Sequence, residues 1–381
     1  MDNIKYFDHA ATTAVSKEVL EAMLPYFSTE YGNASSMYSI SRRARKAIEV
    51  ARQKVAQAIN AKPNEIYFTS GGSESDNLAI KGIAYANKNK GNHIITSKIE
   101  HHAVLETCEN LEEEGFEVTY LDVDDKGFVH LDELKKAIKP NTILITIMFA
   151  NNEIGTIEPI KEIGKIARDN NIYFHTDCVQ AIGNVKIDVQ DMNIDSLSMS
   201  GHKLYGPKGI GVLYVKDGIE FKKLQNGGHQ ENNKRAGTEN VPGIVGMGKA
   251  IEIAYRDFEK NERHLKQLRD FFFSEIEKRV PNIKINGDRQ KRLPGNCNVS
   301  FAKVDAEELL MKLDKKGICA SAGSACSTGT TEISHVLKAI GLLDKTALGT
   351  LRLTFGKENT IEDVEFLVKA IEEIVKLIRN K

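Results

Sequence analysis

The chain has 381 residues, with 52 Lys and Arg against 53 Asp and Glu, and five cysteines. That length buries a substantial core and favours a large domain with a smaller one beside it. The near-neutral balance offers no chain-wide attraction to nucleic acid or to an anionic membrane, so the expected partners are small molecules or proteins.

The opening MDNIKYFDHAATT lacks the apolar centre of a signal peptide and no later run approaches a membrane span, which predicts a cytoplasmic protein. Cys108, Cys178, Cys297, Cys319 and Cys326 are widely spaced and form no CxxC pair. This argues against a disulfide framework and a zinc site, leaves no resident metal to expect, and makes at least one working thiol a candidate.

In chain order, a helix is predicted around 16–26. From about 40 to 250, β-rich runs at 66–68, 93–95, 118–121, 143–149, 172–174 and 212–215 alternate with helical patterns such as Ile160, Ile163, Ile166 and Ala167 on one face. That alternation predicts an α/β layered domain with a mainly parallel sheet. After about 250 come a long charged helical segment, strands near 298–301 and 351–355, and a last helix from about Ile361, the texture of a smaller α+β domain. The N-terminal segment packs on either.

Three runs in the larger unit carry chemistry. Thr69-Ser70-Gly71-Gly72-Ser73-Glu74 follows a strand and opens a helical pattern, where glycine admits an anion to backbone N–H groups and the helix dipole favours it. Taken alone, the run is equally an ordinary turn with an N-cap. In Ser198-Met199-Ser200-Gly201-His202-Lys203-Leu204-Tyr205-Gly206, Lys203 stands between a strand end and a Gly/Pro-rich turn, where partial desolvation makes an amine a nucleophile and base. A surface lysine is the plain alternative, and the flanking Ser200, Gly201 and His202 weigh against it. In Phe174-His175-Thr176-Asp177-Cys178-Val179-Gln180, Asp177 ends an apolar strand and faces the crevice where α/β sheets bind ligands, although a helix N-cap explains it as well. Alternation sends Cys178 to the opposite face, into packing.

Downstream, Ala320-Ser321-Ala322-Gly323-Ser324-Ala325-Cys326-Ser327-Thr328-Gly329 is small, polar and Gly-rich, hence loop. Cys326 has no apolar neighbours there, whereas Cys108, Cys297 and Cys319 read as buried small hydrophobes. Arg352 sits in the alternating run Thr350-Leu351-Arg352-Leu353-Thr354 with its leucine neighbours pointing the other way, and the residues alone favour a surface arginine on an edge strand.

These runs, together with Tyr6-Phe7-Asp8-His9-Ala10-Ala11-Thr12-Thr13, Glu100-His101-His102, Asn151-Asn152-Glu153-Ile154-Gly155 and Arg235-Ala236-Gly237-Thr238-Glu239-Asn240, resemble the cysteine desulfurases of the NifS/IscS kind, in the class V pyridoxal-phosphate-dependent aminotransferase family. The matches keep their order from residue 6 to beyond 350. The resemblance implies the fold type I transferase architecture. A large domain, 15–255, would hold a mainly parallel seven-stranded sheet between helices; a smaller α+β domain, 1–14 and 256–381, would carry the catalytic cysteine loop at about 320–332.

It also implies a set of roles. Lys203 would bind pyridoxal 5'-phosphate covalently and move the substrate Cα proton. His101 would stack on the cofactor ring, Asp177 would pair with its ring nitrogen, and Asn152 and Gln180 would contact the ring, Gln180 at its phenolic oxygen. Gly72, Ser73, Ser200 and His202 would hold the phosphate, joined by Thr238 from a neighbouring subunit. Arg352, with Asn152, would anchor the substrate carboxylate, since a guanidinium clamps a carboxylate with two hydrogen bonds. Ser73 stands where the family often has Thr and keeps the hydroxyl donor. The implied reaction converts L-cysteine to L-alanine and leaves sulfur as a persulfide on Cys326, for iron–sulfur cluster assembly or other thiolation. The implied partners are a second copy of the chain and a sulfur-acceptor protein such as an iron–sulfur scaffold, with Cys326 at most a transient iron–sulfur ligand. A pyridoxal-phosphate lyase or aminotransferase of the same fold is the enzymatic rival, set apart by Cys326 in its loop. A silent scaffold protein is the non-enzymatic one, and Lys203, Asp177 and His101 speak against it.

Overall fold

Ile, Leu and Val runs that bury every residue need cover on both faces, and such runs recur along this chain. The computed structural model describes residues 4–322, 333–342 and 346–380. Its strands are β1 (Lys5–Tyr6), β2 (Ile66–Thr69), β3 (His93–Ser97), β4 (Glu117–Leu121), β5 (Thr142–Thr146), β6 (Tyr173–Asp177), β7 (Ser196–Ser200), β8 (Gly211–Val215), β9 (Ile283–Ile285), β10 (Asn296–Phe301), β11 (Ile318–Cys319) and β12 (Thr350–Thr354). Every residue of β3, β5, β7 and β8 is buried, as in a sheet covered by helices on both sides.

Seven strands form one sheet in the order β2-β8-β7-β6-β5-β3-β4. Neighbours from β7 to β4 run parallel, and β8 runs antiparallel to both β2 and β7. The expected mainly parallel α/β sheet is therefore present. One strand, β7, escaped the apolar-run reading because Ser196, Ser198 and Ser200 alternate with Leu197 and Met199; its serine face turns inward, Ser198 Oγ lying 3.1 Å from Nε2 of His175. The expected run 143–149 ends as a strand at Thr146, although Ile147 and Phe149 go on donating to the carbonyls of His175 and Asp177.

Helix Ile160–Asp169 buries Ile160, Ile163, Ile166 and Ala167, the face that the spacing predicts. The predicted helix at 16–26 is interrupted: Lys17–Met23 stops, and Pro25–Ser28 restarts with Pro25 at its first turn, where a missing N–H costs nothing.

A second apolar cluster gathers Phe7 with Leu268, Phe272, Val299, Leu351, Leu367 and Ile371 around the antiparallel sheet β12-β10-β9 and the helices Phe258–Arg279 and Ile361–Arg379. Each such fully buried side chain contributes roughly 1.5–3 kcal/mol. The N-terminal segment joins this cluster: β1 pairs with β11, and Thr354 N–H donates to Phe7 O at 2.7 Å. Val336, Leu337 and Ile340, by contrast, pack into the core of the large sheet. Cys108, Cys178 and Cys297 are buried as expected, while Cys319, at the short strand β11, is only partly so. No helix among the described residues is long and apolar enough to cross a membrane.

Candidate active site

Because β3, β5, β6 and β7 are parallel, their C-terminal ends open on one edge of the sheet, where ligands of α/β folds gather. The segments that follow them line a cavity of about 500 Å³. His101 follows β3, Asn152 follows β5, Gln180 follows β6, and His202 and Lys203 follow β7.

At one end of the cavity, helix Gly72–Ala86 begins with Gly72. A Cβ there would stand 2.6 Å from Cγ2 of Val179, so glycine alone lets the helix start this close to the turn after β6. Ser73 and Ser200 line the same region, and His202 Nδ1 lies 3.1 Å from Thr12 Oγ1. Burial pulls His202 down to about 4, so it is neutral at pH 7. Free N–H groups of a helix start, two hydroxyls and an imidazole make a donor set for an anion.

Deeper in, Asp177 is 5 % exposed, and its Oδ1 accepts from Val179 N–H at 2.8 Å. Burial raises its pKa, with His101 and Lys203 opposing. His101 caps helix His102–Glu113, its Nδ1 accepting from Ala103 N–H at 3.1 Å. Burial lowers its pKa, so the ring is neutral and the cap leaves the proton on Nε2. Lys203 Nζ donates to the carbonyls of Ala10 and Ala11, and Gln180 Nε2 donates to Ala10 O at 3.0 Å. The N-terminal segment is thereby a wall of the site.

Arg352 is 2 % exposed; it donates through Nη2 to Asp8 Oδ1 at 2.8 Å and through Nη1 to Asn152 O at 3.3 Å, while its Nε has no hydrogen-bond partner among the described residues. It lies on an edge strand, as the residues alone favoured, since β12 ends the sheet β12-β10-β9, but it is buried and not on the surface. Asn151 shapes the neighbouring turn: its amide donates to Ile99 O at 2.8 Å and its Oδ1 accepts from the N–H groups of Glu153 and Ile154. Gly155, at φ +79°, closes that turn where a Cβ would lie 2.5 Å from Asn296 Oδ1.

Residues 5–367 match the family model described as Aminotransferase class-V. The chain belongs to the class-V aminotransferases, in the branch of the cysteine desulfurases. It is 56 % identical over 382 residues to a cysteine desulfurase IscS of Clostridium botulinum, spanning 100 % of this chain and 96 % of that one. The IscS of Methanosarcina thermophila is 56 % identical over 375 residues, 98 % of this chain and 93 % of its own length. Among solved structures, a NifS-like protein superposes with a TM-score of 0.93 at 38 % identity, covering 98 % of this chain and 100 % of that chain. The structure titled SspA in complex with cysteine gives a TM-score of 0.83 at 42 % identity, over 92 % and 98 %.

For this family member, the cavity gathers every site residue named from the sequence except two. Thr238 is exposed and does not line the cavity within one chain. Cys326 lies outside the described residues.

The structure also adds residues that motif reading passed over. Asp8 pairs with Arg352. Asp76 and Glu100 line the cavity as further buried carboxyls, and burial pushes Glu100 up to about 8. Glu153, also buried, accepts from Ser334 Oγ at 2.6 Å, and His335 Nε2 bonds to Glu100 O at 2.9 Å. The position of Glu100 just before His101 was the available signal. Nothing local marks Asp76, which looks like any acid in a helix's second turn.

Proposed function

We propose that this chain uses pyridoxal 5'-phosphate to take sulfur from L-cysteine, holds it as a persulfide on Cys326, and releases L-alanine. The observation that carries this reading is the convergence of Lys203, Asp177, His101 and Arg352 on one cavity whose other end is a helix N-terminus. The chemistry of that set fits the cofactor. A phosphate suits Gly72, Ser73, Ser200 and His202, and a ring nitrogen suits the buried carboxyl of Asp177. When bound, pyridoxal phosphate supplies the electron sink that makes the substrate Cα proton labile.

The residues of the chain do the rest. Asp177 holds negative charge where a protonated ring nitrogen would lie. Lys203 Nζ, steered by two backbone carbonyls, would hold the cofactor at rest and would carry the Cα proton during turnover. His101 keeps its proton on Nε2, on the cavity side of its capping bond, and can lend it to a leaving group. Arg352 offers a carboxylate its Nε–H, which has no partner among the described residues, and its Nη1 holds the carbonyl of Asn152. Cys326, as thiolate, attacks the sulfur of cysteine. The carbon–sulfur bond breaks, an S–S bond forms on Cys326, and the carbon skeleton takes a proton and leaves as alanine.

The same reading makes the protein a homodimer that passes sulfur to an acceptor protein, such as an iron–sulfur scaffold. An exposed apolar stretch supports the dimer: Phe27, Tyr31, Met37 and Tyr38 stand in the open, Met37 at 90 % exposure, on a surface that a partner would cover. Exposed Thr238, near Arg235 that pairs with Glu74 in the first turn of the Gly72 helix, could then enter the partner's phosphate site. The two apolar clusters support a large domain of 15–255 and a small one of 1–14 with 256–381, although Leu293, Leu342, Ala347 and helix His335–Ala339 pack into the large core. A reaction that needs a free thiol places the protein in a reducing compartment, the cytoplasm.

Purified protein given pyridoxal phosphate, L-cysteine and a thiol reductant should turn yellow and yield alanine and sulfide in equal amounts. Pyruvate and ammonia in place of alanine would mark a lyase and end the reading.

A further inference from the structure

Two residues before Asp177 on the same strand, and so on the same face, His175 is fully buried. Its Nδ1 lies 2.9 Å from Thr146 Oγ1; its Nε2 lies 3.1 Å from Ser198 Oγ and 3.7 Å from Asp76 Oδ1. Ser198 also opposes the upward shift of the Asp76 carboxyl, the direction in which a neighbouring hydroxyl donor acts on a carboxylate. Asp76 is 1 % exposed and lines the cavity, and its Oδ1 has no hydrogen-bond partner among the described residues.

This row of side chains can be satisfied in two directions. With Asp76 protonated, its hydroxyl donates to Ser198, Ser198 donates to Nε2 of His175, and Nδ1–H donates to Thr146. With Asp76 ionised, every donor reverses: Thr146 donates to Nδ1, Nε2–H donates to Ser198, and Ser198 donates to the carboxylate. The two states differ by one proton, at Asp76, and the histidine stays uncharged in both. That neutrality agrees with burial, which pulls His175 down to about 3. Asp76 faces His175, Asp177 and Cys178 from β6 and the turn after it, Glu100 from the segment after β3, and Lys203 and His101 across the cavity. Burial and the charge of Asp177 both push Asp76 upward.

We propose that Asp76 is a positioning residue for Asp177: through the Ser198–His175–Thr146 row it holds a proton that leaves the negative charge of the two carboxyls on Asp177, and releases that proton to solvent as pH rises. The inference rests on the reading that Asp177 faces the ring nitrogen of pyridoxal phosphate. Once ionised, Asp76 adds a second negative charge beside that nitrogen and strengthens the hold on its protonated form.

Two measurements test it, the first needing no cofactor. The infrared difference between the cofactor-free wild type and Asp76→Asn should contain a protonated-carboxyl band that disappears with rising pH, beyond the Glu100 band that the two proteins share. In the second, pyridoxal phosphate affinity is followed against pH by fluorescence in both proteins; their ratio, which cancels the cofactor's own titration, should move by about tenfold across that transition. Should Asp76→Asn not fold, Ser198→Ala removes the donor to ionised Asp76 and should move the transition to higher pH. An infrared difference without the band, a flat affinity ratio, or an unmoved transition in Ser198→Ala overturns the inference. Failure of the wild-type protein to bind pyridoxal phosphate at all overturns the cofactor reading instead, and the infrared band still decides the state of Asp76.

Discussion

Nη2 of Arg352 and Oδ1 of Asp8 meet at 2.8 Å, joining residues 344 positions apart in the chain. The proposed substrate anchor is thus already paired with a carboxylate, and a cysteine carboxylate would add to this pair through Nε, which has no partner among the described residues. Arg352→Ala should raise KM for cysteine by the equivalent of about 2–5 kcal/mol while cofactor absorbance persists. Asp8→Asn should do the reverse to KM, because the guanidinium then has only the substrate to answer it, and should lower Tm through a loss of about 3 kcal/mol. Steady-state kinetics and thermal melts on the two variants check both, and an unchanged KM in Arg352→Ala rules out the anchor.

Lys203 should be the site where borohydride fixes the cofactor, found by peptide mapping. Lys203→Ala should bind pyridoxal phosphate only reversibly and lose about 10⁴-fold or more in alanine formation. A label on another lysine of the variant protein would contradict the assignment.

Cys326 is expected to carry one added sulfur after a single turnover with cysteine, by mass spectrometry of its peptide. A free thiol has a pKa near ~8.5, so the reaction needs surroundings that favour the thiolate. Cys326→Ala should keep the cofactor and the spectral response to cysteine yet form no persulfide. Desulfuration that survives this change but stops when Cys319 is replaced would move the nucleophile to Cys319, which is only partly buried.

Glu100 gives a prediction for stability. The unfolded chain titrates it near its ordinary 4.5, the folded chain at about 8, because burial disfavours its charge. Between those values the folded protein keeps a proton that the unfolded chain has released. Stability from this group is therefore full at the acid end of that window and is lost as pH rises toward 8, by a few kcal/mol in all. Melts of cofactor-free protein should show Glu100→Gln with a flatter decline from pH 5 to 8 than the wild type; identical slopes would mean that Glu100 is ionised when folded.

The dimer should weaken when Met37 and Tyr38 are both replaced by Glu, and dilution to monomer should release cofactor as Thr238 leaves the partner's site. Sedimentation with absorbance detection follows both. A fully active monomer that retains its cofactor would remove Thr238 from the site.

The parts legible in the sequence were those that depend on local pattern. Apolar runs announced most of the strands of the large sheet, and Lys203, Asp177 and Gly72 were visible as polar breaks at strand ends. β7 was legible only as the strand end before Lys203 and not as an apolar run, because serines facing His175 inside the protein look like serines facing water. The split at Pro25 was readable, since proline breaks a helix interior but suits its first turn. Arg352 illustrates the other limit: alternation put it opposite its leucines, yet only the register of β12 against β10 and the approach of Asp8 make that side the interior. Asp76, Glu100 and Glu153 acquire meaning through burial, which no single stretch of sequence states.

The wall that the N-terminal segment gives the site has a consequence for how the protein comes to exist. A chain made from its N-terminus first must wait with Lys5, Phe7, Asp8 and Ala10 unpaired until β11 and β12 are synthesised, since their partners there are Gly317, Cys319, Thr354 and Arg352. The large sheet and its helices can form meanwhile, because contacts closer in sequence form sooner. The carbonyls of Ala10 and Ala11 then come to rest against Lys203 only once almost the whole chain has been made, so the N-terminal wall of the cavity is the last of its sides to close.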